Sequence, residues 1–399
     1  MPRSYRSLLA TPGVKGLVIA GTVARLPQTM IGLGLLTMLV QQTGLYWLAA
    51  AVAGTFTLAS AFIGPRVSRW VDQHGQSRVL PLITAFSTGM LLALITAAYV
   101  QAPAALLFAL AALAGTMPSM SAMIRARWTY LFRGKPQLRT AFSLDTVLTE
   151  LAFVVGPPIA IGLSTSLFAQ AGPLVAVLLL VIGVTAFVRQ RQTEPPVAHA
   201  NDSHTGSTLR IRGVPTIVLA LLAMGVIGGS IDVAVVAFAN AQGWPASASF
   251  ILATYALGSL ISGLAFGALR VSLAIERQFL VGILVTAITA ILPILSPDVY
   301  TLTAMLFIAG MSFAPTMVIV MTLGTLILPP SRVTEGMTWM STGISIGVAL
   351  GGVLAGMLID HYGARAGFAV AIGAGVVMVA VVLVGLRTLR AVSLRGARI

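Results

Sequence analysis

Apolar residues run along this chain in twelve stretches separated by short polar gaps, at 14–40, 44–64, 79–100, 103–124, 141–168, 171–188, 213–240, 246–268, 278–296, 300–326, 336–360 and 365–388. An α-helix rises about 1.5 Å per residue, so about 20 apolar residues cross the hydrocarbon core of a bilayer, and most of these stretches reach that length. The pattern predicts an all-α membrane protein with twelve transmembrane helices. The longest polar interval, 189–212, carries Glu194, Pro195 and Pro196 followed by the small polar run Asn201, Asp202, Ser203, His204, Thr205, Gly206 and Ser207. That composition suits a flexible linker. It divides the chain into a six-span bundle at 1–188 and a second at 213–399.

The basic residues sharpen the picture. Of 24 Lys and Arg residues, all but Arg25, inside the first span, and Arg365, in the last gap, fall before or at the very start of the first span, in alternate gaps, or at the very end of the last span and after it. The positive-inside rule then places both termini in the cytoplasm. Hydrophobic residues make up 57% of the chain and charged residues 9%, far from the about 25% charged of soluble proteins. The net charge of +14 is therefore topological. A nucleic-acid surface needs clustered basic residues with stacking aromatics, and the sequence has none. With no cysteine and four scattered histidines, disulfides, thiolate chemistry and a metal site are not expected, nor is any cofactor. No nucleophile elbow, paired-carboxylate site or Gly-rich phosphate loop followed by Lys is present, so an enzyme and an ATP-driven pump are not expected. Arg3 and Arg6 before an apolar run look like a signal peptide, but that run is long and begins the series, so it reads as an uncleaved first helix.

Weak repetition links the halves. Ala114, Gly115 and Pro118 in the fourth span have counterparts in Ala309, Gly310 and Pro315 of the tenth, and Gly156 of the fifth in Gly351 of the eleventh. Six spans plus six favour two pseudo-symmetric bundles that rock against each other. In the second gap, Ser68 is followed by Asp72, Gly75 and Arg78, and in the fifth span Gly156 precedes Pro157. On these features the chain resembles the major facilitator superfamily along essentially its whole length, and most closely its bacterial exporters of drugs and metabolites. The resemblance implies a conformational latch made by Asp72, Gly75 and Arg78 against the start of the eleventh helix, near Pro329, Pro330 and Ser331. Gln73 and Gln76 stand where the family is usually basic, and Ser68 replaces a glycine. Gly156 and Pro157 match the Gly-Pro pair of the antiporter signature, although Ser143, Ala152, Ala160 and Ile161 replace its other glycines. Helix packing alone is the alternative reading of that motif.

A charge at mid-membrane costs roughly 2.5–3.5 kcal/mol on insertion scales, so each needs a partner or a water-filled cavity. Arg25 and Glu150 lie at similar depth in the first and fifth spans. They are expected to face the same interior and to pair in at least one state, serving either proton coupling or a fixed helix contact. Asp145, nearer the cytoplasmic end, is expected in a charge network with Arg125, Arg127 and Arg139 or with the Asp72 loop. Asp232 is a candidate gate or substrate contact, with an interfacial carboxylate as the alternative, and Glu335 and Asp360 should mark the two ends of the eleventh span. The resemblance makes Gln28, Met30, Met117, Met120 and Met311, with Met123 and Met317, candidates for a plastic cavity wall, with lipid-facing or core packing as the alternative. Gly343, Gly347 and Gly351 recur at four-residue spacing and read as a packing seam.

The expected protein is a monomeric, multi-pass transporter of a bacterial inner membrane. Its partners are the lipid bilayer, a small amphipathic organic substrate, and protons. A facilitator, an exporter of an endogenous metabolite such as a sugar, and a non-transporting membrane sensor are the alternatives.

Overall fold

The computed structural model describes residues 8–132, 135, 137–196, 211–268, 273–328 and 333–396. The side chains of Asp72, Arg139 and Glu335, and residues 197–210 and 329–332, which include the polar run of the linker and Pro329, Pro330 and Ser331, lie outside the described residues. The described chain is α-helical with short turns: α1 (Val14–Thr43), α2 (Tyr46–His74), α3 (Gln76–Tyr99), α4 (Ala104–Ala114), α5 (Met120–Phe132), α6 (Gln137–Ser166), α7 (Ala171–Arg189), α8 (Val214–Ala241), α9 (Ser247–Ala268), α10 (Ile275–Thr289), α11 (Val299–Ile327), α12 (Val333–Tyr362) and α13 (Gly367–Gly396). Among the described residues, 11 helices are long and apolar enough to cross a membrane, and Ala104–Ala114 is a shorter apolar helix. The protein is therefore an all-α, multi-pass membrane protein.

Two predicted boundaries change for local reasons. The apolar run 103–124 is not one helix but α4 and α5, parted at 115–119. Pro118 has no N–H to give the carbonyl four residues back. That carbonyl, of Ala114, instead accepts from the buried Ser87 hydroxyl at 3.0 Å. The second gap, predicted as a loop from 65 to 78, is helical on both sides and turns at Gly75 alone, whose φ of 90° is one that side chains other than hydrogen rarely adopt. Hydropathy ends a span where charges begin, but a helix continues through Arg66 and Arg69 as long as its backbone bonds are met.

The chain forms two compact units. One contains Met1–Thr43 and Thr55–Ser203, and the other Gly44–Gly54 and His204–Ile399. In the amino-terminal unit α1 is central, packed on α6 and α7. In the carboxy-terminal unit α8 has that place, packed on α12 and α13, while α9 packs on α11. Like contacts recur in the two. Gly115 lies against the Phe56 carbonyl and Ala59 of α2, as Gly310 lies against the Tyr255 carbonyl of α9. Gly156 of α6 lies against Thr29 of α1, as Gly351 of α12 lies against the Val226 carbonyl of α8.

Glycine lets helix backbones approach closely, which suits association where no water is present to drive it. The carboxy-terminal unit uses this most. Gly225 and Gly229 of α8 face the backbone of α12 at Ile344 and Val348, while Gly343, Gly347 and Gly351 of α12 face Val218, Leu222 and Val226 of α8. The first turns of α2 belong to this unit. The amides of Tyr46 and Trp47 donate to the Asp360 carboxylate at 3.1 and 2.9 Å, so α12 caps α2 in place of a local residue. Asn240 of α8 donates to the Tyr46 hydroxyl at 2.7 Å.

Candidate functional site

Arg25 does not pair with Glu150. Its Nη2 lies 2.6 Å from Asp145 Oδ1, its Nη1 donates to the Asp145 carbonyl at 3.0 Å and to Thr149 Oγ1 at 2.6 Å, and its Nε donates to the Gly21 carbonyl at 3.4 Å. Both charged side chains are buried, at 3% and 1% exposure. Asp145 Oδ2 meets Arg125 Nε at 3.0 Å, and Arg125 is 55% exposed. One carboxylate thus bridges a buried and a solvated guanidinium. Depth alone does not choose the partner, because a helix turns about 100° per residue. Glu150 lies five residues from Asp145 and so about 140° around α6, whereas Thr149, four residues on, shares its face. Glu150 is half-buried and has no hydrogen bond or ion pair among the described residues.

Arg127 does not join Asp145 either. It is fully buried, with Nε donating to Gln76 Oε1 at 2.7 Å and Nη1 reaching the Phe187 carbonyl (3.0 Å), the Gln190 carbonyl (2.8 Å) and Thr193 Oγ1 (2.8 Å). Its guanidinium lies 3.8 Å from the centre of the Phe187 ring, a cation–π arrangement. Burial in this setting lowers its pKa to about 10, opposed by the nearby Glu194 carboxylate. The group that Arg127 reads is the end of α7 and the short 3-10 turn Arg191–Thr193. That turn seats against the start of α1, where Gly13 faces Thr193 and Gly16 faces Gln190. Glu194 Oε1 accepts from the Ser77 amide at 2.7 Å and so caps α3. These contacts explain the sequence at 76: a basic residue there would face a buried guanidinium, while Gln76 accepts from Arg127 and donates to the Met123 carbonyl at 3.3 Å.

Of the latch residues, Gly75 makes the turn between α2 and α3, Arg78 is exposed on the first turn of α3, and the side chain of Asp72 lies outside the described residues. Gly156 gives Thr29 the space to donate to the Ala152 carbonyl at 3.0 Å, tying α1 to α6. Pro157 and Pro158 lie within the uninterrupted α6. Of the methionines expected as cavity wall, Met30, Met117, Met120 and Met123 are 0–4% exposed in the packed interior, where the unbranched thioether fills gaps between helices. Met311 is 41% exposed, and Gln28 and Met317 are half-buried.

In the carboxy-terminal unit Asp232 is half-buried on α8 and has no hydrogen bond or ion pair among the described residues. Tyr255 on α9 lies within its electrostatic reach. Beside Tyr255, α10 and α11 are joined by hydroxyl pairs, Thr286 with Thr316 at 3.2 Å and Thr289 with Ser312 at 3.1 Å. Gly282 leaves room for the Thr316 hydroxyl. Sequence reasoning passes over Tyr255, Thr149 and this hydroxyl cluster, and reads Gln76 only as the loss of a basic residue. Their signal is spacing of three or four residues, at 286 and 289, 312 and 316, and 145 and 149, which puts polar groups on one helix face.

The family model described as Major Facilitator Superfamily matches residues 17–282 and 233–397. A search of curated protein sequences gave no match. Among solved structures the fold is similar to that of a mutant of the nucleoside transporter NupG (TM-score 0.72, 13% identity, 93% of this chain and 99% of that one). It is also similar to a bacterial homologue of the iron transporter ferroportin in its inward-facing state (TM-score 0.71, 16% identity, 93% and 98%). A third is the POT family transporter PepTSo (TM-score 0.70, 12% identity, 95% and 98%).

Proposed function

Because this chain belongs to the Major Facilitator Superfamily, a family of membrane transporters, we propose that it exports a small amphipathic organic molecule by alternating access, in exchange for protons. In this reading it spans the inner membrane of a bacterium twelve times as a monomer, with both termini in the cytoplasm and residues 189–212 linking bundles 1–188 and 213–399. The carrying observation is the division of the membrane carboxylates. Asp145 is consumed by Arg25 and Arg125, while Glu150 and Asp232 are half-buried in apolar helices without a cationic partner among the described residues. A carboxylate so placed has a high cost as an anion, and taking up a proton removes it. Glu150 and Asp232 are therefore the proton-exchanging groups, one in each unit. Arg25 and Asp145 form a fixed pair that sets α1 against α6. The shortage of hydrogen-bonding side chains around them favours an amphipathic substrate over a sugar.

The test is proton flux in everted vesicles under an imposed pH gradient, with lipophilic cations, antibiotics, nucleosides and sugars added in turn. Compound-dependent proton release by the parent protein, lost in Glu150→Gln or Asp232→Asn, is the expected result. Substrate flux that ignores the pH gradient would establish a facilitator instead, and absence of substrate-dependent flux would leave the sensor reading.

A further inference from the structure

We propose that Arg125 of the amino-terminal unit binds an oxyanion carried on an apolar body, through the Nη1 and Nη2 edge of its guanidinium. Its Nε donates to Asp145 Oδ2 at 3.0 Å, while Asp145 Oδ1 takes Nη2 of Arg25 at 2.6 Å. A guanidinium is a planar fork of five N–H donors, and the bond to Asp145 orients the group while using only one of them. Nη1 and Nη2 lie across the guanidinium carbon from Nε, and neither has a hydrogen bond to protein among the described residues. That edge is the one that takes two oxygens of a carboxylate or phosphate. The charges agree with the geometry. Two guanidinium groups share one carboxylate, so Arg25, Arg125 and Asp145 together carry a single positive charge in excess. Asp145 is 1% exposed and Arg25 3%, so the excess is presented by Arg125, at 55%.

Depth makes this excess matter. Arg125 comes seven residues before the end of α5 at Phe132, and Asp145 five after Thr140, where the membrane span within α6 begins. At about 1.5 Å per residue the pair stands roughly 8–10 Å inside the span. A charge at that level is costly until water or an anion answers it. The other charged groups of this unit are placed elsewhere. Arg127 is bonded to Gln76 and the end of α7, Glu194 caps α3, and Glu150 is about 140° around α6 from Asp145. The surroundings favour an anion with an apolar body over a bare ion. Phe142, one turn before Asp145 on the same face of α6, is 37% exposed, and Ala122, one turn before Arg125 on α5, is exposed and offers only a methyl group. A head group on the fork sets its tail along these two. Soluble amphipathic anions and anionic phospholipids share this chemistry. Use of the site for a transported anion rests on the transport reading above; the site itself rests on Arg125 and Asp145.

Arginine-specific labelling with phenylglyoxal, read residue by residue by mass spectrometry on the full chain in nanodiscs, tests the site. In phosphatidylcholine nanodiscs, decanoate is expected to suppress labelling of Arg125 and to leave that of the exposed Arg69 unchanged, while decanol protects neither. That result makes a soluble anion the ligand. Protection of Arg125 but not Arg69 by phosphatidylglycerol in the nanodisc, without decanoate, makes the lipid head group the ligand. Equal protection of the two arginines reports surface charge alone and overturns the site, as does protection of Arg125 by neither anion. For the transport use, Arg125→Gln is expected to raise the KM of anionic transported compounds about tenfold, the loss of a charged hydrogen bond, and to leave that of uncharged analogues as it is. Equal effects on both overturn the transport use, with the labelling still deciding the site. Absence of flux for every compound in the parent chain overturns the transport reading instead.

Discussion

The two units solve one packing problem with different chemistry. The amino-terminal unit fixes its helices with buried charge: Arg25 and Asp145 join α1 to α6, and Arg127 gathers α3, α5, α7 and the turn that follows α7. The carboxy-terminal unit fixes its helices by contact, with glycines of α8 and α12 set against each other's backbone and small hydroxyls between α10 and α11. Each carries one acid, Glu150 or Asp232, that has no partner among the described residues. The contrast teaches that an intramembrane charge has two uses. Paired or hydrogen-bonded it specifies which helices meet, and unpaired it is costly as an anion, a cost that taking up a proton removes.

The comparison breaks most visibly at the Arg25–Asp145 pair. Removing Asp145 leaves the buried Arg25 guanidinium without a carboxylate, so Asp145→Leu should cost about 3–5 kcal/mol, whereas Asp145→Leu with Arg25→Met should recover much of the loss. Thermal unfolding of the purified single and double variants measures the difference. Arg127→Met should follow at about 3 kcal/mol, because it strands the Gln76, Phe187, Gln190 and Thr193 acceptors without a charged donor. On the other side, Gly347→Ala places a methyl against the Leu222 carbonyl and forces α8 from α12 at about 1–3 kcal/mol, by the same assay. The smallest effect belongs to Asp298, an exposed cap whose carboxylate accepts from the Thr301 amide at 2.9 Å and is thereby held below the usual carboxylate range. A depressed acid contributes stability above its unfolded-state pKa and loses it as pH falls through its folded value. Asp298→Ala should therefore lower the melting temperature slightly at neutral pH and not at all in strong acid.

How much is legible in the sequence follows from the same chemistry. Membrane spans are read from length and hydropathy because lipid leaves the backbone little choice but helix. The split at 115–119 escapes that reading, although Pro118 placed four residues after Ala114 carries the signal, because the answering donor, Ser87, comes from another helix. Arg25 is recognisable as a charge that needs a partner, but ranking candidates by depth favours Glu150 where helix face selects Asp145. The role of Gln76 is hidden because its reason, Arg127, is distant in sequence. Analogy puts Met30, Met117 and Met120 at a cavity, and only packing shows them as core.

The most direct test of the division between structural and exchangeable acids is proton release from the purified transporter in weak buffer, followed with a pH indicator as a transported compound is added. The account predicts release by the parent chain and by the Arg25→Met, Asp145→Leu variant, and none by Glu150→Gln with Asp232→Asn. Release that persists in the Glu150 and Asp232 double variant, or disappears only when Asp145 is replaced, would contradict it.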